Sequence, residues 1–283
     1  MTTSVAIVNW NSGGRLKTCL ESLLATTASP EIVVVDNASS DGSIDSAVSF
    51  RDRVHFIRNS VNRGFAAGIN QGFQATEGAH VLVLNPDIRV MPGAVETLEN
   101  FMTTHPRAGA VGGYVNAKYL PRRFPTAAAL IRENLGLGRR ALASVPSKEA
   151  REIVPVDQPA AAALMVRRDA YDQLGGFDER FYPAWYEDVD FCRRLKGAGW
   201  EIYFAPHAEF QHEGGYSAGA LGVEDFARAY YANQTRYARK HLGPAAVVAV
   251  RASIAAGMLG RMAARPWQAR AYARTFWEAI RGL

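Results

Sequence analysis

Short apolar runs alternate with helix-spaced apolar stripes along the first half of the chain. Residues 81–84, Val-Leu-Val-Leu, form a run too short for a helix and typical of a strand buried on both faces. Comparable runs predict strands at residues 4–8, 31–35 and 54–57. Between these runs, apolar residues recur every three or four positions, as on the buried side of an amphipathic helix. Strands and helices alternating at this pace predict βαβ units and a mostly parallel sheet.

The second half of the chain continues this alternation with longer gaps. Helices are predicted at residues 92–104, 168–174 and about 187–197, and strands at residues 110–115 and 201–204. Residues 117–158 form a long excursion with arginine pairs at 122–123 and 139–140, each of which is either a functional pair or part of a solvated surface. Excursions of this length in compact domains are usually functional or mobile. The small apolar residues 159–166 would let a ligand or another backbone approach closely.

Charge is distributed unevenly along the 283 residues, which carry a formal charge of +5. Residues 224–283 contain ten basic and three acidic residues, a net charge of +7, so the rest of the chain is at −2. This asymmetry indicates a membrane surface or a nucleic acid as partner of the tail, or a solvated helix face. Residues 245–283 also contain Trp267 and Trp277, and a basic amphipathic segment with tryptophans is typical of a membrane interface. The alternatives are a helical hairpin packed on the domain, or a dimer contact.

Several protein classes are disfavoured. The only cysteines, Cys19 and Cys192, lie on apolar stripes of predicted helices, which indicates neither a disulfide scaffold nor a zinc site and fits a reducing compartment. The first strand begins too early to leave room for a signal peptide, and no uninterrupted apolar run approaches 18 residues, so no spanning helix is expected. Neither the dinucleotide-binding nor the P-loop glycine motif occurs, which disfavours dehydrogenases and P-loop phosphotransferases.

Three predicted strands end in a polar residue that can bind a ligand: Asn9, Asp36 and Asp87. Open α/β sheets bind ligands outside the carboxyl ends of their strands, so we expect these residues to converge there. A carboxylate at Asp87 can hold a divalent cation that neutralises a diphosphate, and Asp36 can accept hydrogen bonds from a nucleoside. Both have simpler explanations: a helix cap near Pro92 for Asp87 and an Asx turn for Asp36.

Three carboxylates, Glu187, Asp188 and Asp190, open a predicted helix. The helix dipole alone can explain acidic residues in a first turn. It does not explain the aromatic residues just before them, which could form a wall on which a ring-shaped substrate stacks: Phe181, Tyr182, Trp185 and Tyr186. His212 follows a predicted strand in a glycine-rich loop. It is either a surface histidine or, with a carboxylate, part of a ligand set for Mn²⁺.

Seven motifs in one order give the sequence a family resemblance. They are Val-Asn-Trp-Asn (8–11), Val-Val-Asp-Asn-Ala-Ser-Ser-Asp-Gly (34–42), Asn-Arg-Gly-Phe-Ala-Ala-Gly-Ile-Asn-Gln-Gly (62–72), Leu-Asn-Pro-Asp (84–87), Gly-Gly-Phe-Asp-Glu (175–179), Tyr-Glu-Asp-Val-Asp-Phe-Cys-Arg-Arg (186–194) and His212 with Ser217. With these motifs the chain resembles the inverting family 2 glycosyltransferases of GT-A fold, in particular the bacterial rhamnosyltransferase-like branch. The resemblance implies an α/β fold with a Rossmann-like, mostly parallel central sheet flanked by helices and a C-terminal helical extension.

The resemblance implies a role for each matched residue. The donor nucleotide-sugar would be bound by Asn9, Asp36, Asn62, Gly64, Asn70, Asn85 and Asp87. Asp87 and His212 would hold Mg²⁺ or Mn²⁺ on the donor diphosphate, and Asp188 would be the general base that deprotonates the acceptor hydroxyl. The acceptor would contact Trp185, Tyr186 and Glu187.

The implied activity is the inverting transfer of a sugar from a dTDP or UDP donor to a hydroxyl of a lipid-linked or polysaccharide acceptor. L-Rhamnose from dTDP-rhamnose is the first expectation and galactofuranose an alternative. A non-catalytic nucleotide-sugar-binding or membrane-docking module on the same fold remains open. We expect a catalytic domain at residues 1–222, with a donor half at about 1–115 and an acceptor half at about 116–222, and a basic amphipathic helical tail at 223–283. The expected setting is cytoplasmic cell wall polysaccharide synthesis at the inner face of the plasma membrane, with the tail as membrane or dimer contact and no nucleic acid partner.

Overall fold

A computed structural model describes residues 3–26, 30–138, 152–212 and 221–281. Its strands are β1 (Thr3–Asn9), β2 (Glu31–Asp36), β3 (His55–Arg58), β4 (His80–Leu84), β5 (Ile88–Val90), β6 (Ala108–Tyr114), β7 (Val154–Pro155), β8 (Ala163–Arg167) and β9 (Glu201–His212). Its α-helices are α1 (Arg15–Thr26), α2 (Ser43–Ser46), α3 (Phe65–Gln74), α4 (Ala94–Thr104), α5 (Ala127–Asn134), α6 (Arg168–Leu174), α7 (Glu187–Gly197), α8 (Gly222–His241), α9 (Pro244–Ala264) and α10 (Ala269–Arg281). The second predicted arginine pair, 139–140, lies outside the described residues, as does Ser217.

The described strands form one nine-stranded sheet in the order β3-β2-β1-β4-β8-β6-β9-β5, with β7 paired to β9. The first four are parallel neighbours, and β6 is parallel to β9. Strand β8 runs antiparallel to β4 and β6, and β5 and β7 run antiparallel to β9. Six of these strands therefore point one way and three the other, which confirms the predicted α/β fold with a mostly parallel sheet.

Strand β4 is the buried central strand that its apolar run predicts. All five of its residues are buried, with apolar clusters on both faces of the sheet. The parallel register pairs Asn9 of β1 with Asp36 of β2, so their carboxyl ends meet at one edge. Helix α3 lies very close to β1, and glycines make this approach possible. A Cβ on Gly68 would be only 2.7 Å from the Val8 side chain, and a Cβ on Gly72 only 2.7 Å from the Ala6 side chain. The sheet thus brings the predicted strand-end residues into one region.

Three strands differ from the sequence-based prediction. The small residues 159–166, expected to allow a close approach, include most of β8, a central strand between β4 and β6. The strand predicted at 201–204 continues as β9 to His212, so this histidine ends a strand and pairs with Ile88 instead of lying in a loop. The three-residue strand β5 was too short to be recognised. Asp87 lies between β4 and β5 and does not cap α4, whose N-cap is Gly93.

The C-terminal segment is helical, as predicted, and packs on the rest of the chain. One buried cluster contains Phe181, Tyr186 and Val189 together with Tyr237 of α8, Val250, Ile254 and Met258 of α9 and Tyr272 of α10. Helices α9 and α10 form the hairpin that was the alternative to a membrane contact. By length and composition α9 is also apolar enough to cross a membrane. No uninterrupted apolar run indicates this in the sequence, because Arg251 and Arg261 divide it.

Asp190 joins α7 to α8. Its carboxylate is fully buried and accepts hydrogen bonds from Arg194 at 2.8 Å and His241 at 2.7 Å, with Lys240 as a further partner. Burial alone would raise the pKa of Asp190, but the bonds from His241 and Lys240 and the charge of Arg194 hold it below its usual range. This carboxylate of the acidic helix start is therefore structural.

Candidate active site

A cavity of about 270 Å³ opens at the carboxyl ends of β1 and β4. Seven of the predicted site residues line it: Asn62, Asn85, Asp87, Trp185, Glu187, Asp188 and His212. Asn37, Phe65, Tyr119 and the segment 160–162 complete much of the wall. We call this the main cavity. It brings the predicted metal ligands and the predicted base into one space, although 101 positions separate Asp87 from Asp188 in the sequence.

Asn9 and Asp36 meet as predicted, but they are not part of the cavity lining. The Asn9 Nδ2 atom donates to Asp36 Oδ1 at 2.7 Å, and Asp36 also accepts from the Oγ and backbone N–H of Ser39. These contacts give Asp36 the turn-forming role that was its simpler explanation. The next residue, Asn37, lines the cavity instead. The sequence signal that could have identified Asn37 is its position directly after Asp36 in the 34–42 motif.

Gly64 supports the wall from behind. At a φ of 87° it adopts a conformation that favours glycine, and a Cβ there would lie 2.8 Å from the Tyr182 ring. Its carbonyl accepts from Asn37 Nδ2 at 3.0 Å, and the next N–H, of Phe65, donates to Pro183 O at 2.7 Å. Gly64 thus lets the turn after β3 lie directly against the 182–186 loop.

Asn70 lies away from the main cavity, in contrast to its predicted donor contact. Its Nδ2 atom donates to Phe177 O and Glu179 Oε1, and its Oδ1 atom accepts from Tyr171 OH and Phe177 N–H. With this set of partners Asn70 ties α3 to the turn after α6. The resemblance implies a donor contact for Asn70, whereas the described partners of its side chain make it an internal brace.

The aromatic residues before α7 do not form one wall. Phe181 is fully buried, and Tyr186 is 2% exposed and packs against Tyr230 and Tyr237 of α8. Tyr182 is half exposed and covers Gly64. Trp185 alone of the four lines the main cavity. Sequence spacing could not separate these roles because the loop turns sharply between neighbouring residues.

Asp87 and His212 converge in the main cavity, with Asp87 Oδ2 3.3 Å from His212 Nε2. Burial lowers the pKa of His212, although the Asp87 carboxylate opposes this, so the neutral imidazole needed for metal binding is favoured. Within the described ranges there is no cluster of three or more His, Cys, Asp or Glu residues that could hold a metal. A carboxylate and an imidazole nevertheless fit Mg²⁺ or Mn²⁺, which commonly take one or two protein ligands plus substrate phosphates.

The two adjacent carboxylates Glu187 and Asp188 differ in environment. Glu187 is 5% exposed, and burial together with the charge of Asp188 raises the pKa of its carboxyl well above the usual range. Asp188 is half-buried and accepts a hydrogen bond from Gln158 Nε2 at 3.2 Å. When two neighbouring acids have environments that push their pKa values apart, one of them tends to be neutral while the other is ionised. The arrangement favours a neutral Glu187 beside Asp188.

Helix α8 holds the loop that carries these residues. Trp185 and Tyr186 have φ angles of 76° and 72°, which are costly for side chains of this size. Asn233 Nδ2 donates to the carbonyls of Tyr182 and Ala184, and Gln234 Nε2 donates to Tyr186 OH. These contacts retain the strained turn that places Asp188 in the cavity. Sequence analysis identified neither Asn233 nor Gln234.

Comparison with known proteins matches residues 4–174 to the family model described as glycosyl transferase family 2. This match covers more than half of the chain and contains β2 to β8 and all but the first residue of β1. The chain belongs to glycosyl transferase family 2.

One relative of this glycosyltransferase is the N-acetylglucosaminyl-diphospho-decaprenol L-rhamnosyltransferase of Mycobacterium tuberculosis. The two are 30% identical over 275 residues, covering 84% of this chain and 85% of the relative. Family membership and glycosyltransferase activity are therefore supported beyond the sequence motifs.

Two solved structures confirm the GT-A-like fold of the glycosyltransferase. GalNAc-T7 with UDP, GalNAc and Mn²⁺ has a TM-score of 0.63 at 16% identity, over 86% of this chain and 52% of its own. The mannosyltransferase PcManGT of Pyrobaculum calidifontis, in complex with GDP-Man and Mn²⁺, has a TM-score of 0.60 at 16% identity, over 98% and 74%. Both structures contain Mn²⁺, which suggests divalent metal use by proteins of this fold.

Proposed function

We propose that this glycosyltransferase moves L-rhamnose, with inversion, from dTDP-rhamnose to a sugar hydroxyl of a lipid-linked acceptor. The observation that carries the proposal is the shared cavity of Asp87, His212 and Asp188. The similarity to the mycobacterial N-acetylglucosaminyl-diphospho-decaprenol L-rhamnosyltransferase supports both rhamnose and a lipid-linked acceptor whose sugar is N-acetylglucosamine. A polysaccharide acceptor and galactofuranose as donor sugar are the alternatives.

The donor side would use Asn37, Asn62 and Asn85 as neutral hydrogen-bonding groups beside Asp87. Asn9, Asp36 and Gly64 would support these donor-side residues without contacting the donor. Asn70 is not included among the donor-binding residues, because its polar atoms hold the turn after α6. Mg²⁺ or Mn²⁺ would be held by Asp87 and His212 and, when bound, would supply charge neutralisation for the donor diphosphate.

The acceptor side would use Asp188 as the general base. The acceptor oxygen would form a bond to the anomeric carbon as the bond from that carbon to the diphosphate breaks. The diphosphate would leave with the electron pair of that bond, and the hydroxyl proton would pass to the Asp188 carboxylate. Attack from the face opposite the leaving group gives inversion. Trp185 would orient the acceptor sugar, and Gln158 would orient Asp188 through its hydrogen bond.

The direct test incubates the protein with Mn²⁺, an N-acetylglucosaminyl diphospho-lipid and a panel of dTDP- and UDP-sugars, and measures the released nucleoside diphosphate. We expect acceptor-dependent release that is highest with dTDP-rhamnose. Nuclear magnetic resonance of the product would give the anomeric configuration. Tight donor binding without release for any sugar would instead favour the non-catalytic binding module.

We further infer that the enzyme works at the inner face of the plasma membrane, with the outer face of α9 on the lipid. No exposed position from Pro244 to Ala264 carries a polar side chain, and only 28% of the most apolar 18-residue window is buried. Arg251 donates inward to the carbonyls of Ala279 and Ile280, and Arg261 donates to Asn134 O. The outer face is therefore uncharged as well as exposed.

The chemistry around this face suits an anionic lipid surface. Trp267, 76% exposed, follows α9 directly, and tryptophan is enriched at membrane interfaces. The neighbouring Arg265 and Arg270 are exposed, and each basic residue near an anionic surface contributes about 1 kcal/mol. Because α9 and α10 share a buried cluster with the loop before α7, we expect surface contact by a folded hairpin rather than insertion.

Leu259→Asp and Trp267→Ala should reduce binding to anionic phospholipid vesicles in a flotation assay. Leu259 is 52% exposed, so the introduced charge does not disturb the core. The matched control is Val48→Asp, because Val48 is 53% exposed and lies outside the C-terminal helices. Wild-type binding should weaken with salt and on neutral vesicles. Equal flotation of Leu259→Asp and Val48→Asp would contradict the membrane contact, and a dimer that Leu259→Asp dissociates would assign the face to a second copy.

A further inference from the structure

A second cavity of about 210 Å³ adjoins the main cavity. The two share part of their walls, including Tyr119, Trp185, Glu187 and Asp188. The carboxylate proposed as base therefore lies where both spaces can reach it. Asp87 and His212, the residues proposed to hold the metal, line only the main cavity.

Two basic residues line the second cavity, Lys118 and Arg122. Both lie on the segment that follows β6, and the Arg122 N–H donates to Gln158 O at 3.0 Å. Gln158 in turn donates to Asp188, so two hydrogen bonds connect the Arg122 backbone with the proposed base. Arginine and lysine side chains are the usual protein partners of phosphate groups. The cavity thus combines an anion-binding group with the base.

Gln158 gives independent evidence for a ligand in this cavity. It is 8% exposed, and because a carboxylate can only accept, its amide nitrogen must face Asp188. Its Oε1 atom is buried and has no hydrogen-bond partner among the described residues. A buried amide oxygen without a partner is costly, and a bound hydroxyl group would supply the missing donor.

The remaining wall suits a sugar ring. Trp185 and Tyr230 line the cavity together with part of Tyr186, and the Trp185 ring is fixed by an edge contact with Phe226 at 4.9 Å between centroids. Aromatic faces present apolar surface with a polar edge, which matches the alternating surface of a sugar. The second cavity is therefore lined by the proposed base, a buried amide oxygen, aromatic side chains and two basic residues.

We infer that the second cavity binds the acceptor through a phosphate or diphosphate at its reducing end, held by Lys118 and Arg122. The reacting sugar lies against Trp185, with its reacting hydroxyl donating to Asp188 and a neighbouring hydroxyl donating to Gln158 Oε1. This inference rests on the proposed function and narrows it to acceptors that carry an anionic group at the reducing end. The anionic group can belong to a lipid-linked diphosphate or to a soluble sugar phosphate.

The test measures binding by calorimetry with dTDP filling the donor site. Three probes differ only in the reducing end: N-acetylglucosamine 1-phosphate, N-acetylglucosaminyl diphosphate on a short lipid, and neutral octyl N-acetylglucosaminide. Lys118→Gln and Arg122→Gln should each weaken the phosphorylated probes about 10- to 100-fold, as expected for losing a charged hydrogen bond. The neutral probe should be unaffected. Arg123→Gln, the exposed neighbour that lines neither cavity, is the control and should change affinity by less than about threefold.

The outcomes separate the inference from its alternatives. Equal affinity of wild type for neutral and phosphorylated probes would overturn it, as would equal losses for both in the variants. A parallel loss of dTDP affinity in Lys118→Gln would assign the cations to the donor diphosphate and also overturn it. Binding of both phosphorylated probes would show that the phosphate suffices, and binding of the lipid probe alone would identify the lipid-linked source. The proposed function fails separately, if wild type releases no dTDP from any donor.

Discussion

Asp188→Asn is expected to lower the rate of sugar transfer about 10²–10⁴-fold, because a positioned general base contributes about that much. This is about 2.7–5.5 kcal/mol of activation free energy. Asparagine keeps the shape of aspartate and its hydrogen bond with Gln158, but it cannot take the proton of the acceptor hydroxyl. Donor affinity should be nearly unchanged, since Asp188 is not among the residues proposed to hold the donor or the metal. Steady-state transfer at saturating donor and calorimetric donor titration measure the two effects.

Asp172→Asn is the matched control for this experiment, since its side chain is exposed on α6 and lines neither cavity. If Asp188 only stabilised the start of α7, its exchange would cost about 0.3–1 kcal/mol of folding free energy and leave turnover intact. Turnover of Asp188→Asn within about fivefold of wild type, less than 1 kcal/mol of barrier, would remove Asp188 from the mechanism.

Removal of divalent metal should abolish turnover, and Asp87→Ala should weaken donor binding as well as rate. Asp87 and His212 are the described carboxylate and imidazole that converge in the main cavity, and loss of one ligand from a two-ligand site leaves little to hold the ion. Donor titrations with and without Mn²⁺ provide the measurement. In wild type we expect Mn²⁺ to tighten donor binding, and in Asp87→Ala we expect that gain to be largely lost.

A second variant distinguishes metal binding from damage to the fold. His212→Ala removes the imidazole but leaves the β9 backbone paired with β5, so it should reproduce the lost Mn²⁺ effect with a smaller loss of metal-free donor binding. Full turnover in excess EDTA would rule out the metal requirement. Unchanged Mn²⁺-dependent donor binding in both variants would place the ion elsewhere.

The residues that sequence analysis identified best are those whose position follows from strand ends. Asp87 follows a fully buried apolar run, and the register of a parallel sheet then determines the edge at which it must lie. Asn9 and Asp36 obey the same rule and do meet, but one hydrogen bond at 2.7 Å turns them towards each other instead of towards the cavity. Backbone position was predictable from pattern, whereas side-chain direction depended on partners 27 positions away.

Other residues gave no local signal, or one that did not match the structure. Gln158 is an isolated polar residue at the end of the long excursion, and its contact with Asp188 joins positions 30 residues apart in the sequence. Asn70 gave a misleading signal because an asparagine in a motif can bind a ligand or brace a turn with the same residue type. His212 was expected in a glycine-rich loop because the strand was predicted to end at residue 204. A register irregularity between β6 and β9 instead lets the strand continue.

The contacts from Asn233 and Gln234 to the 182–186 loop have a consequence for chimeric enzymes. Exchanging residues 1–115 between relatives would replace Asn37, Asn62, Asn85 and Asp87 and keep Asp188 together with the helix that braces its loop. Exchanging the acceptor-side segment alone would separate Asp188 from α8, and the strained turn at Trp185 and Tyr186 would then rest on foreign side chains. We therefore expect a chimera to take on the acceptor preference of a relative only when α7 and α8 are exchanged together.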